Sequence, residues 1–309
     1  MLVKGSIVAI VTPMKANGDL DLDALDKLVD FHIESGTKGI IAVGTTGESA
    51  TLEVSEHISV IERIVKKADK KVFIFAGTGA NSTKEAIYLS MAAKSAGADA
   101  SLSVTPYYNK PTQEGLFQHY TQIADQVEFP QVLYNVPGRT SCDLLPETIA
   151  RLAPHENILG IKEATGDLSR LEELKKLIRD ETFFLYSGDD ATATDFILNG
   201  GHGNISVTAN VLPKAMAEFC DSFLSGNIKR ASAIDGVLQS VHEILFIESN
   251  PTPAKWALHQ MGIIHEGIRM PLLPLSSRYR SELKKRIDCL LYTSRAHETG
   301  RNLVCRLLL

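Results

Sequence analysis

The sequence predicts an α/β fold: a closed (β/α)8 barrel with a C-terminal helical appendage. Three observations predict it. Eight short apolar runs, at residues 6–11, 39–43, 72–76, 98–104, 131–135, 157–162, 182–187 and 203–207, alternate with amphipathic stretches. Most are rich in Ile, Val and Leu, and all are too short for buried helices. After Val207 the strand signal stops, and residues 210–290 read as helices only. Strand–helix repetition implies parallel strands with right-handed crossovers. Eight such units within residues 1–210 suit a TIM barrel, typically about 250 residues long. A doubly wound open sheet is the alternative reading of the same repeat.

Taken in order, the helical stretches carry their own signals. Leu22, Leu25, Leu28, Val29 and Ile33 share one helical face, and Gly36 ends it. Val54, Ile58, Ile61 and Val65 form a second stripe. Ser82 and Glu85 make an S-x-x-E capping box ahead of Tyr88 and Leu89. Pro146 sits where a first helical turn would begin. Leu168, Leu171, Leu174 and Ile178 make another stripe, with Asp167 as its expected N-cap. Beyond the strands, breaks are expected at Gly226, at Pro251-Thr252-Pro253 and between Pro271 and Pro274. The predicted division is a barrel over 1–210, a helical region over 211–290 and a tail over 291–309. The tail has no capping logic, ends in three leucines and has no assigned role.

Composition narrows the functional classes. The chain has 309 residues, 44% hydrophobic and 22% charged, so it can bury a large core without disulfides or metals. Lys plus Arg number 32 and Asp plus Glu 37, a net charge of −5, which lacks the basic footprint that nucleic-acid binding usually needs. Cys142, Cys220, Cys289 and Cys305 form no C-x-x-C pair and read as reduced thiols of a cytoplasmic protein. The N-terminus lacks the pattern of a signal peptide. No apolar run approaches the ~18 residues needed to span a bilayer. The nine histidines are scattered, without H-E-x-x-H, so neither a metal nor a cofactor is expected.

The run Asn157 to Glu163 is the most informative. Period-two alternation puts Ile158, Gly160 and Lys162 on one face, with Leu159, Ile161 and Glu163 on the other. The helix-facing side of a barrel strand is apolar, so Leu159 and Ile161 are expected there. Lys162 is then expected inside the barrel near the C-terminal end of strand six, where barrel active sites sit. A desolvated amine there suits nucleophilic attack on a carbonyl; a structural ion pair with Glu163 is the equal alternative. Tyr134, at the end of strand five, reads as a proton relay or as a core aromatic. Gly44-Thr45-Thr46-Gly47-Glu48-Ser49 reads as an anion-binding turn or as a plain one. Arg139 follows a Pro-Gly turn, either to clamp a carboxylate or as a solvated surface residue. Tyr107 and Tyr108 suggest a site, a subunit contact or packing on the rim.

Six ordered strings carry a specific resemblance: GTTGES at 44–49, TPYYNKP at 105–111, YNVPGRT at 134–140, GIKEATGD at 160–167, SGDD at 187–190 and GHGNISVTANV at 201–211. Over residues 2–290 the chain resembles the dihydrodipicolinate synthase family of pyruvate-dependent class I aldolases. The resemblance implies a Schiff-base condensation of pyruvate with L-aspartate 4-semialdehyde, the first committed step of lysine biosynthesis through diaminopimelate. It implies that Lys162 forms the Schiff base, and that Thr45 and Thr46 lie beside the pyruvate carboxylate. Tyr134, Thr45 and Tyr108 match a proton relay, with Tyr108 reaching in from a neighbouring subunit. Arg139 matches the residue for the semialdehyde carboxylate, and Gly188 and Ile205 match pocket-lining positions. A homotetramer, built as a dimer of dimers, is the family's usual assembly.

Other pyruvate-dependent aldolases, such as N-acetylneuraminate lyase or sugar-acid aldolases, are the alternative. Arg139 within YNVPGRT favours the synthase. Family members inhibited by lysine bind it at positions that match Ser49, Ala50, His57, Asn81, Glu85 and Tyr107. Val54 stands where sensitive members often carry histidine, so weak or moderate inhibition is expected.

Overall fold

The computed structural model describes the backbone of residues 2–299 and the side chains of residues 2–288. Eight parallel strands close into a barrel in sequence order: β1 (Gly5–Ala9), β2 (Gly39–Ala42), β3 (Phe73–Gly77), β4 (Ala100–Val104), β5 (Gln131–Asn135), β6 (Ile158–Glu163), β7 (Phe184–Ser187) and β8 (Gly203–Ser206). β8 pairs with β1, which excludes the open sheet. The connecting helices are α1 (Leu22–Glu34), α2 (Val54–Ala68), α3 (Thr83–Ala96), α4 (Gln113–Val127), α5 (Pro137–Thr140), α6 (Pro146–Leu152), α7 (Ser169–Leu177) and α8 (Ala193–Leu198). Four more follow: α9 (Pro213–Leu224), α10 (Ile228–Ile244), α11 (Thr252–Gln260) and α12 (Ser277–Thr299). Residues 300–309 of the tail lie outside the described residues, as do the side chains of Cys289 and Cys305. No described helix is long and apolar enough to cross a membrane.

The local signals explain most boundaries. Asp21 accepts from the Ala24 N–H and starts α1, and Gly36 (φ 84°) turns the chain after it. Buried Leu25, Leu28 and Val29 fix the inner face of α1, each worth roughly 1.5–3 kcal/mol when fully buried. Of the expected Ser82–Glu85 box only one half forms at the start of α3, the Ser82 side chain accepting from the Glu85 N–H, while a reciprocal capping box between Glu53 and Glu56 opens α2. Pro146 opens α6. Asp167 caps α7 from one position earlier than expected: Leu168 is the N-cap residue, and Asp167 accepts from the Ser169 N–H and hydroxyl. Gly226 separates α9 from α10, and Pro251 and Pro253 open α11 rather than merely interrupting the chain.

Strand parity divides the core. Alternate strand residues, among them Ile7, Ile41, Phe75, Leu102, Val132, Tyr134, Phe184, Tyr186 and Ile205, fill the barrel interior. The other face packs on the helices. There Val8, Ile40 and Ile74 join Leu28, Ile61, Phe219, Leu238 and Trp256 in one continuous cluster. The helical region therefore shares the barrel's outer core rather than enclosing its own.

One parity expectation is overturned. The β5–β6 register slips between Gln131↔Ile158 and Val132↔Gly160. This irregularity reverses the direction of the strand's first two side chains. Ile158 packs outside among the helices, and Leu159 packs against the interior cluster. Beyond the slip, Ile161 faces outward, in keeping with its period-two assignment.

Candidate active site

A cavity of about 220 Å³ opens where the strands end. Its lining comes from the C-terminal ends of β1, β2, β4, β5 and β6 and from the turns that follow β2, β5, β6, β7 and β8. Lys162 and Tyr134 sit side by side in it because they are register partners across β5 and β6. The Lys162 Nζ lies 4.2 Å from the centroid of the Tyr134 ring. Lys162 is 6% exposed, and among the described residues it enters no ion pair. Glu163 faces away: it pairs with Arg170 at 3.3 Å and accepts from the Asn135 amide and the Thr165 N–H. The ion-pair alternative for Lys162 is therefore not what the side chains make. Gly188 gives the lysine stem its room, since a Cβ there would lie 2.8 Å from Lys162 Cε and 2.7 Å from Ala164 Cβ.

The 44–49 turn forms the opposite wall. The N–H groups of Gly47, Glu48 and Ser49 turn back onto the carbonyls of Gly44 and Thr45. Those of Thr45 and Thr46 have no partner among the described residues, and both residues line the cavity. Unspent backbone donors beside two hydroxyls form a place for a small carboxylate. The Thr46 hydroxyl accepts from the Asn250 amide at 2.9 Å. Val43 (φ 54°) and Glu48 (φ 59°) hold left-handed backbone on either side of the turn.

Arg139 stands at the rim, exposed, with Nη2 donating to the Asn250 carbonyl at 3.4 Å. It enters no ion pair among the described residues, so its guanidinium is available to an acidic ligand. Tyr108 is 90% exposed and is not part of the lining in its own chain. Ile205, 2% exposed, packs in the barrel interior rather than in the lining. Sequence reasoning missed Asn250, Asp189 and Phe246, which also line the cavity. Asp189 lies within the quoted SGDD string, but Asn250 and Phe246 had no local signal beyond an Asn-Pro turn.

Asn81, Glu85 and Tyr107 lie together in a second group. Asn81 donates to the Tyr107 carbonyl at 3.2 Å, and its own carbonyl accepts from Asn109 at 2.8 Å. Burial, and then the charge of Glu85, raise the pKa of Tyr107. His57 is buried and its pKa is lowered by burial; Nε2 donates to the Gly77 carbonyl at 2.7 Å, which opposes that shift. Ser49 and Ala50 begin the one-turn helix Ser49–Thr51, and Val54 is exposed at the start of α2.

The profile of the dihydrodipicolinate synthetase family matches residues 2–290. The 4-hydroxy-tetrahydrodipicolinate synthase of Pseudomonas aeruginosa is 59% identical over 284 residues, 92% of this chain and 97% of that protein. Its counterpart in Methylococcus capsulatus is 57% identical over the same shares of each chain. Among solved structures, the chloride-inhibited dihydrodipicolinate synthase of Acinetobacter baumannii, complexed with pyruvate, superposes with a TM-score of 0.91. It is 54% identical, over 93% of this chain and 98% of that one.

Proposed function

The chain belongs to the dihydrodipicolinate synthetase family, and from that premise we propose how its cavity works as a 4-hydroxy-tetrahydrodipicolinate synthase. The substrates are pyruvate and L-aspartate 4-semialdehyde. Lys162 Nζ attacks C2 of pyruvate and water leaves, giving a protonated imine. That imine is an electron sink, so a modest base can remove a proton from the pyruvate methyl group. The resulting enamine forms a carbon–carbon bond with the aldehyde carbon, whose oxygen takes up a proton. The semialdehyde's own amine then attacks C2 and expels Lys162, which closes the ring and restores the free lysine.

The other residues take roles fitted to their places. The Thr45 and Thr46 N–H groups receive the pyruvate carboxylate. Tyr134, beside the amine, and Thr45 relay protons. Arg139 at the rim receives the carboxylate of the semialdehyde. Gly188 keeps the lysine's path open. Ile205 supports the pocket floor from below. Tyr108 completes the relay from a neighbouring subunit, in keeping with its outward position, and the assembly is a homotetramer. A monomer of full activity would remove Tyr108 from the relay. The reaction runs in the cytoplasm and uses no nucleic acid or membrane partner. The group at Ser49, Ala50, His57, Asn81, Glu85 and Tyr107 is a lysine site that inhibits weakly or moderately.

The observation that carries this reading is a buried amine, free of any carboxylate partner among the described residues, in a cavity walled by Tyr134 and the 44–49 turn. Borohydride reduction in the presence of pyruvate, followed by peptide mass mapping, tests it. A stable adduct on Lys162 is expected. An adduct elsewhere, or none, overturns the scheme.

A further inference from the structure

Two lysines are buried among the described residues, and the scheme above uses only one. The other, Lys255 on α11, is 3% exposed and ion-paired with the equally buried Glu48 of the 44–49 turn. Its Nζ also donates to the Thr12 carbonyl at 3.0 Å. The Thr12 hydroxyl in turn donates to the Gly47 carbonyl at 2.7 Å. The second Glu48 oxygen accepts from the Arg269 N–H at 3.1 Å. The Arg269 guanidinium reaches the Thr51 carbonyl at 2.9 Å and the Glu56 carboxylate at 2.6 Å. Three distant parts of the chain thus converge beneath one turn.

We propose that Lys255 is a positioning residue: through Glu48 it holds the 44–49 turn in the shape that presents Thr45 and Thr46 to the keto acid's carboxylate. The inference rests on the carboxylate role given to those two threonines. The turn has reason to need such support. Val43 is a β-branched residue with left-handed backbone, and Glu48 is left-handed as well. Between them, a Cβ on Gly47 would lie 3.0 Å from Val43 Cα. Backbone of this kind persists only where its surroundings over-determine it. Three backbone hydrogen bonds within the turn, the Thr12 hydroxyl on Gly47 and the Asn250 amide on Thr46 supply part of that support; the buried pair is its charged anchor at Glu48. Burial lowers the pKa of Lys255 and the charge of Glu48 opposes that, so the two charges are mutually dependent. Removing either leaves the other buried and uncompensated, and a carboxylate so stranded leaves for solvent and carries the turn with it. Lys255 itself is absent from the cavity lining, so it acts without touching substrate.

Lys255→Met and Glu48→Gln test this, with Arg63→Met as a comparison that breaks a part-exposed pair with Asp26. Each of the first two is expected to raise KM for pyruvate by about tenfold, the scale of a misplaced positioning group, with KM for the semialdehyde within about twofold. At saturating pyruvate, borohydride should still fix pyruvate on Lys162. Arg63→Met should leave both constants alone. A lowered Tm with an unmoved KM for pyruvate in either folded variant overturns the proposal, because a purely structural pair behaves that way. If Lys255→Met fails to fold, Glu48→Gln decides, since it preserves shape and removes only charge. The unsubstituted chain separates the two ideas. Failure to trap pyruvate there overturns the Schiff-base reading and this inference with it, whereas trapping with unmoved KM overturns the inference alone.

Discussion

The β6 end of the barrel mouth and the underside of the β2 turn each bury one lysine, and the two are used in opposite ways. Lys162 and Lys255 are nearly equally hidden, at 6% and 3% exposure. Lys255 is surrounded by acceptors: the Glu48 carboxylate and the Thr12 carbonyl. Lys162 has an aromatic face 4.2 Å away and no acidic partner among the described residues. Burial alone therefore does not mark an amine as a nucleophile. What distinguishes the two is the partner: one nitrogen is paired with a carboxylate of the turn, while the other enters no ion pair among the described residues, as the proposed nucleophile requires.

Breaking the reactive side of that contrast gives the largest effect. Lys162→Arg keeps charge and bulk but removes the nitrogen that can form an imine. Condensation is expected to fall by about 10³-fold or more, the scale on which covalent machinery fails, while the protein stays folded. A steady-state assay beside a thermal melt checks this, and undiminished turnover would remove Lys162 from the chemistry.

A smaller effect follows from crowding the same lysine without altering it. Gly188→Ala puts a methyl group 2.8 Å from Lys162 Cε. Misplacing the amine by part of an ångström is expected to lower kcat/KM for pyruvate by about 10²-fold. Overpacking should cost about 1–3 kcal/mol of stability, read from a denaturant titration. Normal kinetics would show that the lysine stem can move aside.

A last effect concerns stability rather than turnover, and it sharpens the contrast with a third buried group. His32 is wholly buried, and its pKa is pushed down to about 3 by burial, against an ordinary value of 6.5. No carboxylate pairs with it among the described residues, so burial keeps this ring neutral. The unfolded chain takes up its proton near pH 6.5 and the folded chain only near 3, so stability is complete above 6.5 and is lost as pH falls towards 3. His119, pushed down to about 4, adds to the same slope. His32→Gln should flatten the acid limb by up to about 3 kcal/mol, measured as unfolding free energy from pH 7 to pH 4. An unchanged slope would mean that His32 is not kept neutral.

Much of this was legible before the structure. The eight strands fall where their apolar runs predict, with boundaries within about two residues, the usual scatter of element ends. Period two placed Lys162 inside the barrel, and the Pro-Gly turn placed Arg139 on the rim. The early β6 residues were misread because a register slip leaves no mark in the identities of Ile158 and Leu159. Asp167 was read as a helix cap at the wrong position, because a side-chain cap can act from one residue further back.

By itself, then, the chain determined the order of its β/α units, the inward face at the end of β6 and the amine at the mouth, because side-chain periodicity is a local property of the backbone. Only the closed tertiary structure decided that Asn250 meets Thr46, that Lys255 meets Glu48 and that Arg269 meets Glu48 and Thr51. Those meetings join residues some two hundred positions apart. No pattern of near neighbours encodes them; barrel closure, with the last helices laid against its outer core, brings them together.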